Sequence, residues 1–165
     1  MEESLLVFCD GACGPKNPNG NVGVGIVFYH CINLILRNKD TREIKSNYES
    51  VKKIDSVSLS WKFGKDGLYR TSNNLAEHMA INEALNRILN NYSHYDKFYI
   101  LSDSEIAIKQ MNGEYRIKEE SIYYDKAKEN IMLLVDMQEA EFNIEFVWIP
   151  RNLNTAADEL SKVKI

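Results

Sequence analysis

The stretch Leu5-Leu6-Val7-Phe8-Cys9-Asp10-Gly11-Ala12 is an apolar run that ends on a carboxylate and two small residues. Its length and unbroken hydrophobicity predict a strand over residues 5–10 that is buried on both faces. An ionised carboxylate in such a place is costly to desolvate unless a cation or several hydrogen-bond donors meet it. Taken alone, Asp10 is explained as a turn residue that bonds the backbone at Gly11-Ala12. The pattern recurs, however, in Phe98-Tyr99-Ile100-Leu101-Ser102-Asp103. In open sheets the carboxyl ends of parallel strands line one edge, where ligands bind. If these two strands are parallel neighbours, Asp10 and Asp103 stand side by side and repel unless something positive lies between them.

Outward from this pair, residues 14–20 form a Gly-, Pro- and Asn-rich turn cluster, and residues 22–29 its hairpin partner. Residues 56–63 alternate Val57, Leu59, Trp61 and Phe63 with polar neighbours, which predicts a third strand with one wet face. Residues 30–55 are charged and irregular and read as a surface excursion, either a hairpin extension or a short helix. The stripe Ile81, Ala84, Leu85, Ile88 and Leu89 predicts a helix over 73–91. A strand over 97–103, a short helix over 104–111 and a longer helix over 120–137, with Ile131, Leu134 and Val135 inside, come next. Phe142, Ile144, Phe146 and Trp148 alternate as a last strand, and residues 154–163 form a closing helix. The order βββαβααβα describes an α/β or α+β domain with a mixed sheet. Strands one, four and five are separated by helices and should run parallel, while the first three meander antiparallel.

A chain of 165 residues fits one domain, residues 1–165, able to bury about 70% of the surface its unfolded form exposes. No apolar stretch approaches the roughly 20 residues that cross a bilayer, so no membrane partner is expected. Met1-Glu2-Glu3-Ser4 is acidic, unlike a secretory signal. Cys9, Cys13 and Cys31 are an odd set without metal-pair spacing, and a reducing, cytoplasmic setting is expected. A net charge of −4 argues against binding nucleic acid by bulk electrostatics. It does not exclude a nuclease whose acids are neutralised by bound metal ions.

Two further carboxylates join the pair. Glu77, Ile81, Ala84 and Ile88 follow spacings of four, three and four, so Glu77 lies on the apolar stripe. Asn73 and Asn74 precede it by four and three residues and share its end of the helix. The helix dipole accounts for an acid near a helix start, but not for one turned inward. In the closing helix Leu153, Ala157 and Leu160 are expected to form the buried face, with Asp158 beside it, while Glu83 and Glu159 are assigned to solvent. Together Asp10, Glu77, Asp103 and Asp158 make an all-oxygen set suited to Mg²⁺ or Mn²⁺. Two such ions about 3.5–4 Å apart stabilise the attacking and leaving oxygens of a phosphoryl displacement.

With these residues in place the chain resembles the type 1 ribonucleases H over nearly its whole length. The matching stretches are Phe8-Cys9-Asp10-Gly11-Ala12-Cys13, Thr71-Ser72-Asn73-Asn74-Leu75-Ala76-Glu77, Leu101-Ser102-Asp103-Ser104 and Asn154-Thr155-Ala156-Ala157-Asp158-Glu159-Leu160. The resemblance implies a five-stranded mixed sheet in the order 3-2-1-4-5 flanked by helices. It implies endonucleolytic hydrolysis of the RNA strand of RNA–DNA hybrids with two Mg²⁺ ions, Mn²⁺ being able to substitute, in a protein expected to be a monomer. Asp10, Glu77, Asp103 and Asp158 would be the catalytic metal ligands, with Asp10 bridging. Gly11 and Ala12 match backbone positions close to the RNA strand, and Asn73 and Asn74 match positions that contact the hybrid. Ser102 and Ser104 flank the third ligand and are expected to touch sugar or phosphate.

The sequence departs from the family pattern in three places. The loop before the last acid, Ile149-Pro150-Arg151-Asn152-Leu153-Asn154, lacks the histidine common in the family. Arg151 there can stabilise phosphate charge but cannot shuttle a proton. The basic protrusion of many members is reduced to Tyr115, Arg116 and Lys118 within residues 113–120, and the 30–55 excursion is longer than the usual hairpin. A catalytically silent binding module of the same fold is the alternative, against which four intact acids argue.

Overall fold

The computed structural model describes residues 2–38, 43–46 and 51–162. The apolar opening run becomes β1 (Glu3–Gly14), paired antiparallel with β2 (Asn21–Ile32) from Glu3↔Ile32 to Gly14↔Asn21. β1 thus runs four residues past Asp10, so the aspartate sits within a strand and not at its end. Two short strands, β3 (Leu34–Asn38) and β4 (Glu43–Ser46), pair with each other in a separate two-stranded sheet. Of the two forms expected for the 30–55 excursion, the described part is the hairpin. β5 (Val51–Trp61) begins five residues earlier than expected, because its register with β2 extends to Val51↔Cys31.

The helix α1 (Asn73–Asn91) follows, its first turn capped by Ser72, whose hydroxyl accepts from Leu75 N–H. β6 (Lys97–Ser102), α2 (Glu105–Met111), α3 (Tyr124–Glu139), β7 (Ile144–Trp148) and α4 (Thr155–Ser161) complete the order. The large sheet reads β5-β2-β1-β6-β7, with β6 parallel to both β1 and β7. In chain order of its own strands this is the expected 3-2-1-4-5 arrangement. It is an α/β sandwich of the ribonuclease H-like kind. No described helix is long and apolar enough to cross a membrane.

β1 shows why its sequence is apolar throughout. Leu5, Val7 and Cys9 pack with Ile81, Leu85 and Ile88 of α1 and with Leu134 and Met137 of α3. Leu6 points the other way, into a smaller cluster with Cys31, Tyr99, Leu101, Val147 and Ile149, and Phe8 packs against it. Alternation along a strand that is buried on both sides leaves no wet face.

Some expected details do not hold. α3 starts at Tyr124 instead of 120, because residues 118–123 form successive turns, Ser121 N–H donating to Lys118 O and Tyr124 N–H to Ser121 O. Tyr123 is pinned there by stacking on His78 and by a hydrogen bond from Gln110 Nε2. The buried positions of α3 are Ala127, Asn130, Leu134 and Met137, and Val135 is exposed, as is Leu89 of α1. Leu153 falls in a 3₁₀ turn, Arg151–Leu153, and is 54% exposed; α4 buries Ala157 and Ser161 instead. The expected end of the last helix at Val163 lies outside the described residues.

Candidate active site

The parallel pairing of β1 with β6 stops at Phe8↔Leu101, while β1 continues along β2. One edge of β1 is therefore open at Asp10, next to the point where β6 ends and the chain passes through Asp103 into α2. α1 lies across the same opening and carries Glu77. Carboxylate oxygens of Asp10, Glu77 and Asp103 all come within 4.8 Å of one another. Asp10 and Glu77 are buried and Asp103 is half-buried.

The close approach of α1 to β1 depends on Gly11. A Cβ on Gly11 would lie 2.1 Å from the Ala76 carbonyl oxygen, so any side chain would push α1 away. The approach that this glycine permits is thus that of helix α1. With the helix seated, Gly11 N–H donates to Glu77 Oε1 (3.3 Å) and Ser102 Oγ donates to Glu77 Oε2 (3.3 Å). Ser102 is fully buried, and its oxygen also accepts from Ser104 N–H, so it stands behind the carboxylates and not on the surface where a sugar or phosphate could reach it. Ser104 caps α2 through Ala107 N–H.

A groove of about 350 Å³ opens over the cluster, lined by Asp10, Gly11, Ala12, Asn73, Asn74, Glu77, Asp103, Ser104, Arg151 and Asp158. Of the carboxylates and the residues expected beside them, all but Ser102 thus line one groove, while Tyr115, Arg116 and Lys118 lie outside it. Asn73 Oδ1 accepts from Cys13 N–H (2.9 Å), which ties the start of α1 to the β1–β2 hairpin. Arg151, 83% exposed at its side chain, reaches Asp158 at 3.7 Å. A second cavity, about 320 Å³, has mainly apolar walls that include Leu6, Phe8 and Tyr29, and no carboxylate lines it.

The electrostatics follow from crowding without a cation. Burial pushes Asp10 up to about 6; its hydrogen bond with Glu77 opposes the rise, and the charges of Asp103 and Asp158 add to it. Glu77 is held well above the usual carboxylate range, first by burial and then by Asp10. Asp103 is raised by burial, with Arg151 pulling the other way. Burial also raises the Cys9 thiol, directly behind the cluster. Oxygen-only donors at this spacing, on the floor of an open groove, fit a hard divalent cation, which would reverse each of these penalties.

Two contacts were not read from the sequence. Ser161, buried in α4, places its hydroxyl 2.7 Å from the Asp158 carbonyl and 3.2 Å from Asp10 Oδ2. Asn154, also buried, donates from Nδ2 to Cys9 O (3.0 Å). Gly25, directly opposite Asp10 in the β1–β2 register, lets α4 settle here, since a Cβ on it would lie 2.2 Å from Ala157 O. The signal available in the sequence was the spacing of 154, 157 and 161, which places three small or polar side chains on one helical face.

Comparison with known proteins agrees with this geometry. A family model described as reverse transcriptase-like matches residues 55–164. Among solved structures, ribonuclease H1 from the halophilic archaeon Halobacterium salinarum is 19% identical, with a TM-score of 0.66, covering 96% of this chain and 94% of that one. LC11-RNase H1, isolated from compost by a metagenomic approach, is 25% identical with a TM-score of 0.65, covering 96% and 92%. The same enzyme crystallised with an RNA/DNA hybrid is similar at a TM-score of 0.63 and 25% identity, covering 95% and 93%.

Proposed function

This chain belongs to the reverse transcriptase-like family, and on that footing we propose that it is an endoribonuclease that hydrolyses the RNA strand of RNA–DNA hybrids. The observation that carries the reading is the convergence of three carboxylates within 4.8 Å on the floor of an open groove. A divalent cation in the groove would relieve that repulsion. The similarity to LC11-RNase H1, a protein crystallised with an RNA/DNA hybrid, supports the choice of substrate.

Asp10, Glu77, Asp103 and Asp158 are the residues that would hold two Mg²⁺ ions, or Mn²⁺ in their place. When bound, such ions activate a water and stabilise the attacking and leaving oxygens of the scissile phosphate. The remaining work belongs to the chain. Ser102 and Gly11 N–H fix the orientation of Glu77. Gly11, Ala12, Asn73, Asn74 and Ser104 line the path of the hybrid. Recognition of RNA rests on 2′-hydroxyls in a shallow minor groove, and we assign Glu77 a part in sensing them. Arg151 stabilises phosphate charge from the rim, and the leaving oxygen takes its proton from water. We read the chain as one catalytic unit acting as a monomer, and its free cysteines suit a reducing cytoplasm.

Gel-resolved cleavage of a labelled hybrid with Mg²⁺, Mn²⁺ or EDTA tests the reading, with duplex DNA, duplex RNA and single strands alongside. Metal-dependent cutting of the RNA strand of the hybrid alone is expected. A folded protein that cuts nothing with either metal would instead be a silent binding module.

A further inference from the structure

His78 is fully buried and takes no part in the proposed chemistry. It follows Glu77 in α1 and so points about 100° around the helix from it. Its ring is held from two other helices. Nε2 lies 2.8 Å from Gln110 Oε1 of α2, and Nδ1 lies 3.4 Å from Asn130 Nδ2 of α3. Tyr123, in the turn before α3, stacks on the ring at 5.4 Å. Gln110 Oε1 can only accept, so the ring proton sits on Nε2 and leaves Nδ1 to accept from Asn130. Asn130 Nδ2 also donates to the His78 carbonyl (2.8 Å), and Gln110 Nε2 donates to Tyr123 Oη (3.2 Å). Gln110 and Asn130 are themselves buried, and Asn130 Oδ1 accepts from Asn82 Nδ2 one turn along α1 (3.0 Å). Both ring nitrogens are thus met, the condition in which a buried polar network specifies one arrangement.

The two helices that this ring joins set the places of two carboxylates. Glu77 directly precedes His78, and Asp103 lies two residues before α2 begins at Glu105. The apolar contacts of Ile81 and Ile88 are not directional and let a helix turn on its axis, whereas hydrogen bonds narrow the angle. At a side-chain radius of about 5 Å, a turn of about 10° carries a carboxylate oxygen through about 1 Å. That is a large error for oxygens that lie within 4.8 Å of one another. A misplacement of about 1 Å at an active site can cost about 100-fold.

We propose that Gln110 is a positioning residue, which acts through the His78 ring to fix the angle of α1 against α2 and so the separation of Glu77 from Asp103. Asn130 completes the device by holding the ring in the tautomer that Gln110 needs. The inference rests on the reading of these acids as cation ligands. It ties the polar core behind the groove to metal affinity and not to stability alone.

The test is calorimetric titration with Mn²⁺ in the absence of nucleic acid, with Tm measured alongside. Gln110→Leu leaves the Nε2–H of a buried ring without its partner, which should lower Tm. It should also weaken Mn²⁺ binding about tenfold, the low end of the range for outer partners of metal ligands. The double variant His78→Leu/Gln110→Leu replaces both partners by apolar groups, a change that can be nearly neutral in stability. It does not restore the angle, so Tm should recover while Mn²⁺ binding stays about tenfold weak. Affinity that returns to the wild-type value with Tm, or that never changes in Gln110→Leu, overturns the positioning role and leaves a network that only stabilises. Wild-type protein that takes up no Mn²⁺ overturns the cation reading, and the positioning role with it. Wild-type protein that binds Mn²⁺ but cuts no hybrid overturns the nuclease reading alone.

Discussion

Asp10 has neighbours on every side that bear on its charge: Glu77 across the α1 contact, Asp103 past the end of β6, and Asp158 and Ser161 from α4. Asp10→Asn keeps the volume and removes the charge. Cleavage in Mg²⁺ should fall below detection while the fold persists, which circular dichroism and a hybrid-cleavage gel check together; retained turnover would take Asp10 out of the metal set. Ser161 makes a subtler case. Its one hydroxyl proton is shared between the Asp158 carbonyl and Asp10 Oδ2, so it couples the orientation of one acid to the seat of another. Loss of an outer partner of a metal ligand typically lowers metal affinity 10- to 100-fold. Ser161→Ala should therefore weaken Mn²⁺ binding by roughly tenfold, at the low end of that range. Calorimetric titration with Mn²⁺ reads this directly, and an unchanged affinity would reduce Ser161 to a helix anchor.

Among the elements, α4 is only seven residues long, and its place depends on contacts rather than length. Asn154 holds its start to β1, Ser58 Oγ donates to Leu160 O (2.7 Å) near its end, and Gly25 lets its backbone touch β2 between them. Gly→Ala within a strand is ordinarily neutral or favourable. Here the added methyl must displace α4, and overpacking of this kind costs about 1–3 kcal/mol. Gly25→Ala should lower Tm by several degrees and reduce cleavage more than that loss of stability explains, because Asp158 moves with the helix. Normal activity at a lowered Tm would show that α4 tolerates the shift. The same contacts mark where the sequence was legible. β1, α1 and β6 could be read as elements because apolar continuity and a 3.6-residue stripe are periodic signals, and Glu77 stood out as an acid on that stripe, whereas the run of β1 past Asp10 could not. The start of α3, the exposure of Leu153 and the role of Ser161 could not. The first and last are decided by a partner far along the chain, His78 for Tyr123 and Asp10 for Ser161, and Leu153 by the 3₁₀ turn that carries it. Gly25 owes its role to a partner equally distant in sequence, the α4 backbone that lies on it.

For the whole molecule, the raised carboxyls make stability a function of pH and metal. A carboxyl whose folded pKa exceeds its unfolded one holds its proton more tightly in the native state. Stability then falls as pH rises from about 4, the unfolded value, through the folded one. For Asp10 that fall ends near a folded pKa of about 6, and Glu77, raised well above the usual carboxylate range by burial, adds to it. His78 acts with the opposite sign. It is buried between Gln110 and Asn130 with its pKa lowered by burial, so the stability it contributes is present above its ordinary value of 6.5 and is lost as pH drops below. The two trends overlap just below neutrality, and a wild-type curve alone would blend them. Asp10→Asn separates them, because it removes one carboxyl and leaves His78 in place. In EDTA the wild-type Tm should therefore fall more steeply than that of Asp10→Asn between about pH 5 and 7. Saturating Mg²⁺ or Mn²⁺ should raise the wild-type Tm at about pH 7.5 by binding the native state alone, and much less at about pH 5, where protons compete for the same oxygens. Differential scanning calorimetry across the two pH series reads both effects. Parallel slopes for wild type and variant, together with no metal-induced rise at the higher pH, would mean that the carboxylates do not strain the native state and that no cation is needed to relieve them.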